Sequence, residues 1–224
     1  MSAFTRYFTS SIGRKWVVAL SGLGLAGFVL IHMAGNMLIF MGADAFNAYG
    51  HAITSNPLYK AGIMSGGVLA LAILHAFFTL WLVKDNKAAR SVGYAVSPSG
   101  EKASSWASLT MSFSGTLILF FFVSHLATFK YGAVYSSTVN GVEMRDLHRL
   151  VLEVFHNPGF VAFYVLSLIA LGLHLSHGVS SVFKTLGLSN PRYLRMAECL
   201  GYLYAAVVAV GFISQPLYVY FFHR

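Results

Sequence analysis

Four of the nine histidines in this chain fall inside long apolar segments of the sequence, where an ionisable side chain is unexpected. They are distributed one per segment over four successive segments: His32, His75, His125 and His174. Burying an ionisable group in hydrocarbon is costly, so each position is a candidate functional site. A lone histidine of this kind could equally donate a hydrogen bond to a neighbouring helix. One histidine in each of four segments requires a joint explanation.

The helix rise gives each histidine a depth within its segment. At ~1.5 Å per residue, His32 lies ~24 Å from Trp16, and His125 lies ~28 Å from Trp106. The first and third segments run in the same direction across a bilayer. His32 and His125 are therefore expected to share one level, nearer the outer surface.

The second and fourth segments run the opposite way. By the same rise, His75 lies ~13 Å from Lys84, and His174 lies ~15 Å from Lys184. These two histidines are expected to share a second level, nearer the inner surface. His177 lies one turn from His174 on the same helix and could be the ligand at that level instead. Spacing alone leaves both open.

A single zinc ion cannot explain this arrangement, because bonds of about 2 Å cannot gather ligands whose levels differ by ~10 Å. Two separate sites with two histidines each suit haem iron, since the porphyrin fills the equatorial positions and two imidazoles complete the octahedron. Such an iron has no open position for oxygen and suits electron transfer. The spacing therefore predicts two haems b. A proton-coupled transporter with a histidine relay is the alternative from a different class.

A Ser-Gly dipeptide precedes both His32 and His125 at the same intervals of eleven and ten residues. Eleven residues make about three turns, which places each serine on the face of its histidine at the inner level. Small residues there predict close approach of a flat macrocycle to the backbone, although they also serve ordinary helix packing in membranes. The predicted haem environment on the inner side comprises Ser21, Ser114 and Lys184.

The composition is that of a membrane bundle, with 57% apolar residues, 10% charged residues and a mean hydropathy of +0.67. A water-soluble domain carries about 25% charged residues. We expect an all-α fold, one domain over residues 1–224, with five transmembrane helices and the two haems between the first four. The predicted spans are 16–41, 62–83, 107–129, 160–183 and 199–222.

The distribution of basic residues predicts the orientation. Ten of the fifteen Lys and Arg residues flank the spans on the side of the N-terminus, which is therefore expected to be cytoplasmic, in a multi-pass protein of the cell inner membrane. The formal charge of +8 does not indicate nucleic-acid binding, because the basic residues are scattered between apolar segments. The single cysteine, Cys199, excludes an iron–sulfur cluster ligated by this chain alone.

The connections on the outer side are predicted to contain helices that lie on the membrane. The first would begin with Asp44 as its N-cap and would point Asn47 and His51, four residues apart, toward the outer haem region, as a quinone head group requires. The second is predicted as an amphipathic helix over 143–155 that Pro158 ends. The inner connection over 84–105 is predicted to be a polar loop.

Several stretches resemble one known family, the dihaem cytochrome b membrane anchor of succinate dehydrogenases and fumarate reductases, in the form where one five-helix chain carries both haems. The resemblance covers nearly the whole chain. Its carriers are Ile-His-Met-Ala-Gly-Asn over 31–36, Gly-Ala-Asp-Ala-Phe-Asn over 42–47 leading to His51, Leu74-His75-Ala76, Ser124-His125, and His174 with Gly178 four residues later.

The resemblance implies ligands and partners. His32 with His125 would ligate the haem distal to the partner subunits, and His75 with His174, in preference to His177, the proximal one. A flavoprotein subunit on the cytoplasmic side would interconvert succinate and fumarate, and an iron–sulfur subunit would pass electrons to the proximal haem. This chain would be the electron-transfer subunit, with menaquinone or ubiquinone as its redox partner.

One position departs from the family pattern. Some relatives carry a glutamate two residues before the ligand histidine of the fourth helix, where this chain has Gly172. That departure puts a carboxylate-based proton path in doubt. A dihaem quinol-linked cytochrome of a hydrogenase or formate dehydrogenase is the nearest alternative.

Overall fold

The computed structural model describes residues 8, 10–60, 62, 66–89, 110–188 and 190–223. These residues are mostly helical, and two short strands form one hairpin. The principal helices are α1 (Ser11–Asn36), α2 (Ala43–Ser55), α3 (Gly67–Ala88), α4 (Met111–His125), α5 (Leu147–Phe155), α6 (Pro158–Thr185) and α7 (Pro191–Phe222). A 3₁₀ turn (Met37–Met41) extends α1, a π turn (Leu126–Lys130) extends α4, and a single helical turn (Pro57–Tyr59) follows α2.

Within the described residues, five helices are long and apolar enough to cross a membrane. Their extents are Ser11–Met41, Gly67–Ala88, Met111–Lys130, Pro158–Thr185 and Pro191–Phe222. The predicted number of spans is confirmed on length and composition. Residues 63–65 and 107–109 of the predicted spans, and 90–105 of the predicted inner loop, lie outside the described residues.

The last helix begins well before the predicted start at residue 199. Pro191 stands in the first turn, and the side chain of Asn190 accepts a hydrogen bond from the backbone N–H of Arg192 at 2.9 Å. A proline in the first turn and an asparagine cap are strong start signals for a helix. The apolar stretch marks the part of α7 that suits a membrane, whereas the cap determines where the helix begins.

The helices pack in a definite order that positions the histidines. α3 packs on α1, α4 packs on α6, and α1 and α6 pack on each other in the middle. α7 lies along α6. The two helices are so close at Gly201 that a Cβ added there would lie 2.8 Å from the Ser176 carbonyl oxygen. The Tyr204 hydroxyl donates to the carbonyl of Ala26 at 2.6 Å and joins α7 to α1. We call α1 and α3 the first half, and α4 and α6 the second half.

The buried side chain of Arg14 joins the start of α1 to the end of α3. Arg14 is 8% exposed, its guanidinium forms an ion pair with Asp85 on α3, and it lies 4.3 Å from the ring centroid of Trp81. Arginine is suited to such a place because its planar group stacks on an aromatic ring while it bonds to a carboxylate. The start of α1 and the end of α3 are thereby held on the same side of the bundle.

The second outer connection differs from the prediction. Residues 143–145 belong to a β-hairpin, in which β1 (Ser136–Val139) pairs antiparallel with β2 (Val142–Arg145), and α5 begins only at Leu147. Asn140 and Gly141 both have positive φ, 52° and 79°, as the two central residues of a type I′ turn require. The side chain of Asp146 accepts from the Arg149 N–H at 3.0 Å and caps α5.

The first outer connection contains the predicted helix, α2, but its N-cap position is Gly42 and not Asp44. Gly42 has a φ of 95°, which a residue with a side chain rarely adopts, so the chain turns there and the helix begins one residue later. Asp44 lies in the first turn, where a carboxylate interacts favourably with the helix dipole.

Asn47 on α2 is 1% exposed and joins the two outer connections. Its amide nitrogen donates to Asp146 at 2.8 Å and to Ser137 at 3.2 Å, while its amide oxygen accepts from the backbone N–H of His148 at 2.9 Å. These bonds use both ends of the amide. Asn47 therefore ties α2 to the hairpin and to the start of α5.

His148 beside this junction should make the fold sensitive to acid. The residue is 9% exposed, and its Nε2 has no hydrogen-bond partner among the described residues. Burial lowers the pKa of His148 below its ordinary value of 6.5; Asp146 raises it, and His223 lowers it further. The unfolded chain therefore binds a proton at a higher pH than the folded one. Stability should fall as the pH falls below about 6.5.

The measurement is the unfolding temperature in detergent between pH 8 and pH 5, for the wild-type chain and for His148→Leu. The variant should have the flatter profile over the acid part of the range. Equal slopes for the two proteins would show that His148 does not contribute to the acid sensitivity.

Candidate functional site

The histidine rings meet in two pairs inside the bundle. His32 on α1 faces His125 on α4, with ring centroids 5.8 Å apart and an interplanar angle of 84°. We call these the outer pair. His75 on α3 faces His174 on α6, with ring centroids 6.4 Å apart and an angle of 73°. We call these the inner pair. The rings that face each other in the structure are the same two pairs that the depths of the residues along their helices predict.

His177, the competing candidate at the inner level, is not the ring that faces His75, which contacts His174. It interacts with Lys184 and Glu198 near the inner end of α6 and the start of α7. One helical turn is enough to separate its ring from the partner on α3, because the two residues point in directions that differ by about 60° around the helix. The position of His174 opposite His75 favours His174 as the ring that could share a ligand with α3.

The separations of the rings fit a shared metal ion. An imidazole nitrogen lies about 2 Å from the metal it ligates, so two rings on opposite sides of one ion have their centroids about 6 Å apart. The observed values are 5.8 Å and 6.4 Å. Among the described residues, no group of three or more His, Cys, Asp or Glu side chains could hold a metal ion. Each pair could supply two ligands, which is the number that an iron already held by a porphyrin needs.

Hydrogen bonds fix the orientation of the inner rings. His75 Nδ1 lies 3.1 Å from the Val18 carbonyl oxygen and 3.4 Å from Ser21 Oγ. His174 Nδ1 lies 3.2 Å from Ser114 Oγ. A metal-ligating histidine usually engages its second nitrogen in this way, which holds the ring and defines the tautomer. With Nδ1 engaged, Nε2 is the nitrogen left to bind a ligand.

The outer rings have weaker polar partners. The Tyr164 hydroxyl lies 3.4 Å from His125 Nδ1, and the Asn36 amide nitrogen lies 3.4 Å from His32 Nδ1. Phe28 stacks on His32 with centroids 5.4 Å apart. His125 is the last residue of α4 before the helix widens into the π turn, a distortion that is frequent at functional sites.

Tyr164 and Asn36 were not predicted as site residues from the sequence alone. Tyr164 lies ten residues before His174 on α6, which places it ~15 Å farther out, at the level of His125. The depth of Tyr164 along its helix was the signal in the sequence that could have placed it beside His125. Asn36 lies one turn after His32, and its amide also donates to the His32 carbonyl at 2.7 Å.

The glycines of the two Ser-Gly dipeptides contact the histidine rings. A Cβ added to Gly22 would lie 2.9 Å from His75 Cε1, and one added to Gly115 would lie 3.5 Å from His174 Cε1. The sequence predicted that these glycines would admit a macrocycle to the backbone. In the structure they admit the edge of an imidazole from the neighbouring helix, which a side chain at 22 would displace.

A cavity of about 560 Å³ opens beside the outer pair, between α1 and α3 and beneath α2. His32 lines it together with Phe28, Gly24 and Leu71, so most of its wall is apolar. Polar groups come from Asn36, Tyr49 and Tyr59. Binding sites for flat organic molecules typically combine such a volume with a few polar groups. There is room beside His32 for a small organic molecule.

Three further candidates from the sequence have other roles in the structure. Lys184 donates to Glu198 at 2.8 Å in an exposed ion pair between α6 and α7. Asn47 is used in the outer junction. His51 lies one turn farther along α2, half-buried, with Nε2 3.3 Å from Ser55 Oγ. Asn47 turns toward the hairpin, where both ends of its amide are hydrogen-bonded.

Gly172 is occupied by helix packing. A Cβ added there would lie 3.0 Å from the Ala209 Cβ on α7 and 3.9 Å from the Ala205 carbonyl. Any side chain at this position would begin in tight contact with Ala209 on α7, which would have to give way by a few tenths of an ångström. The close approach of the two helices explains the glycine without reference to proton movement.

The described residues thus define a helical chain whose five longest apolar helices suit a membrane, with two histidine pairs between four of them. No protein-family model matches the chain, and no curated protein or solved structure matches it. Its function is therefore inferred from the histidine pairs, from their surroundings and from the family resemblance of the sequence.

Proposed function

We propose that this chain is the membrane-anchor cytochrome b subunit of a succinate:quinone oxidoreductase, and that it relays electrons between an iron–sulfur subunit and membrane quinone through two bis-histidine haems b. The observation that carries the proposal is the pair of ring separations, 5.8 Å and 6.4 Å, at two separate levels of the bundle. Two imidazoles at this separation would hold a haem iron and leave it no open position for oxygen, so the bound group would supply electron transfer.

The residues have distinct parts in this proposal. His32 and His125 would hold the outer haem, and His75 and His174 the inner one. Bound haem supplies a centre that accepts and donates one electron. Ser21, Val18 and Ser114 orient the inner rings, and Phe28 and Phe121 pack against the rings of the outer pair.

The choice of complex rests on the family resemblance and on what the chain lacks. One cysteine in the whole sequence means that a partner must supply an iron–sulfur cluster. The basic residues concentrate on the N-terminal side of the spans, which is the proposed docking side for the flavoprotein and iron–sulfur subunits. The cavity beside His32 offers Asn36, Tyr49 and Tyr59 as hydrogen-bond partners for a quinone head group at the opposite side.

The proposal includes no proton transfer at position 172. Gly172 packs against α7, and a glycine has no group to carry a proton. Direction of turnover, whether succinate oxidation or fumarate reduction, is a property of the partner subunits and the quinone.

The test is purification of the tagged chain from its native membrane in mild detergent. We expect a reduced-minus-oxidised spectrum with b-type bands, two haems per chain, a copurifying flavoprotein and iron–sulfur protein, and quinone reduction that depends on succinate. A chain without b-type bands would refute the cytochrome and leave the transporter. Normal bands with a copurifying hydrogenase or formate dehydrogenase would refute the succinate complex.

A further inference from the structure

Ser21 and Ser114 face the inner pair as hydrogen-bond acceptors. A serine hydroxyl has one proton to donate. Ser114 Oγ donates its proton to the Met111 carbonyl at 3.2 Å, and Ser21 Oγ donates its proton to the Val17 carbonyl at 2.6 Å. Each oxygen is left with lone pairs toward the facing histidine. In this arrangement the Nδ1 of that histidine carries the proton of the shared hydrogen bond, as the Val18 carbonyl oxygen, which can only accept, also requires of His75.

The same arrangement occurs twice. In the first half, Ser21 on α1 contacts His75 on α3; in the second half, Ser114 on α4 contacts His174 on α6. In both halves the following glycine lies against the same ring. Ser21 and Ser114 are also buried, at 4% and 3% exposure. Two independent occurrences of one geometry indicate a requirement of the inner pair, since ordinary helix packing would not repeat the ring contact.

The two copies differ in one respect. His75 Nδ1 also lies 3.1 Å from the Val18 carbonyl oxygen, which is nearer than Ser21 Oγ at 3.4 Å. For His174 Nδ1, the described residues offer one hydrogen-bond partner, Ser114 Oγ at 3.2 Å. Loss of Ser21 therefore leaves His75 with an acceptor, whereas loss of Ser114 leaves His174 with none in the described part of the chain.

We propose that Ser114, and to a smaller extent Ser21, are positioning residues that hold the proton on Nδ1 of the inner histidines and so present Nε2 to the inner haem iron. The inference rests on the proposed function and deepens it. A hydrogen bond accepted from Nδ1–H makes the imidazole a stronger electron donor, which stabilises the oxidised iron. Removing the acceptor should therefore raise the midpoint potential of the inner haem.

The experiment is a redox titration of the purified complex, with the two haems followed by their optical bands and low-spin signals. The variants are Ser114→Ala, Ser21→Ala and Ser114→Thr. Ser176→Ala is the matched control, because Ser176 is a buried serine on α6 that bonds to the Leu173 carbonyl at 2.8 Å. We expect the midpoint potential of the inner haem to be higher than in the wild-type protein in Ser114→Ala, and to rise less in Ser21→Ala. It should be unchanged in Ser176→Ala and should return toward the wild-type value in Ser114→Thr.

Other outcomes are equally decisive. Loss of the inner haem alone in Ser114→Ala, with retention in Ser114→Thr, would also support the positioning role. Two results would overturn the inference and leave the proposed function standing. In the first, Ser114→Ala keeps both haems and the midpoint potential of its inner haem is unchanged. In the second, Ser176→Ala changes that potential as much as Ser114→Ala does. A wild-type protein without b-type bands would overturn both.

Discussion

Replacing His32 with alanine is expected to lower the haem content of the purified chain from two haems to one. The ring centroid of His32 lies 5.8 Å from that of His125. Because His32 takes no part in the inner pair, the loss should be confined to the outer site. Alanine offers no ligand in place of His32, so the outer site would lose one of the two rings that would hold its haem. The measurement is haem per chain by alkaline pyridine spectroscopy, together with the reduced spectrum.

Two matched substitutions test the assignment on the inner side. His174→Ala should remove the inner haem and retain the outer one, while His177→Ala, one turn away, should retain both. Retention of both haems in His32→Ala would contradict the pairing. Loss of the inner haem in His177→Ala, with retention in His174→Ala, would assign the inner ligand to the other residue.

The second large effect is expected from Gly201→Ala, at the contact between α6 and α7. The added Cβ would lie 2.8 Å from the Ser176 carbonyl oxygen and 3.4 Å from the Ser180 backbone nitrogen. Because both atoms belong to the backbone, the helices themselves must move apart. Overpacking of this kind costs about 1–3 kcal/mol, which corresponds to a drop of several degrees in the unfolding temperature.

Gly27→Ala is the control for this prediction. A Cβ at position 27 has nothing within 4 Å, so the same chemical change on α1 meets open space. Alanine is the better helix former, and this variant should unfold at the wild-type temperature or slightly above it. Equal unfolding temperatures for Gly201→Ala and the wild-type chain would show that the α6–α7 contact is looser than described.

The levels of the histidines could be predicted from the sequence because the rise of an α-helix is nearly constant. Depth was enough to pair His32 with His125. The roles of Gly22 and Gly115 could not be predicted in this way, since they depend on which neighbouring helix presents a ring at that height. The choice between His174 and His177 required either the direction of the side chain or the family resemblance.

The outer connections show a different limit. The Asn140-Gly141 turn was a readable signal for a hairpin. The amphipathic pattern of α5 was extended too far toward the N-terminus. Residues 143–145 were therefore predicted as helix, although they belong to β2. Asn47 could not have been placed from the sequence, because its main partner, Asp146, is 99 residues away and no local pattern connects them.

Each histidine pair draws one ring from the first half of the chain and one from the second half. During synthesis, α1 and α3 are made first and bring only His32 and His75, one ring of each pair. Neither site is complete until α4 and α6 have followed. Under the proposed function, a haem bound between these rings would join two helix pairs that are made at different times. Its loading would then be a late step, and the loaded chain should be harder to pull apart than the empty one.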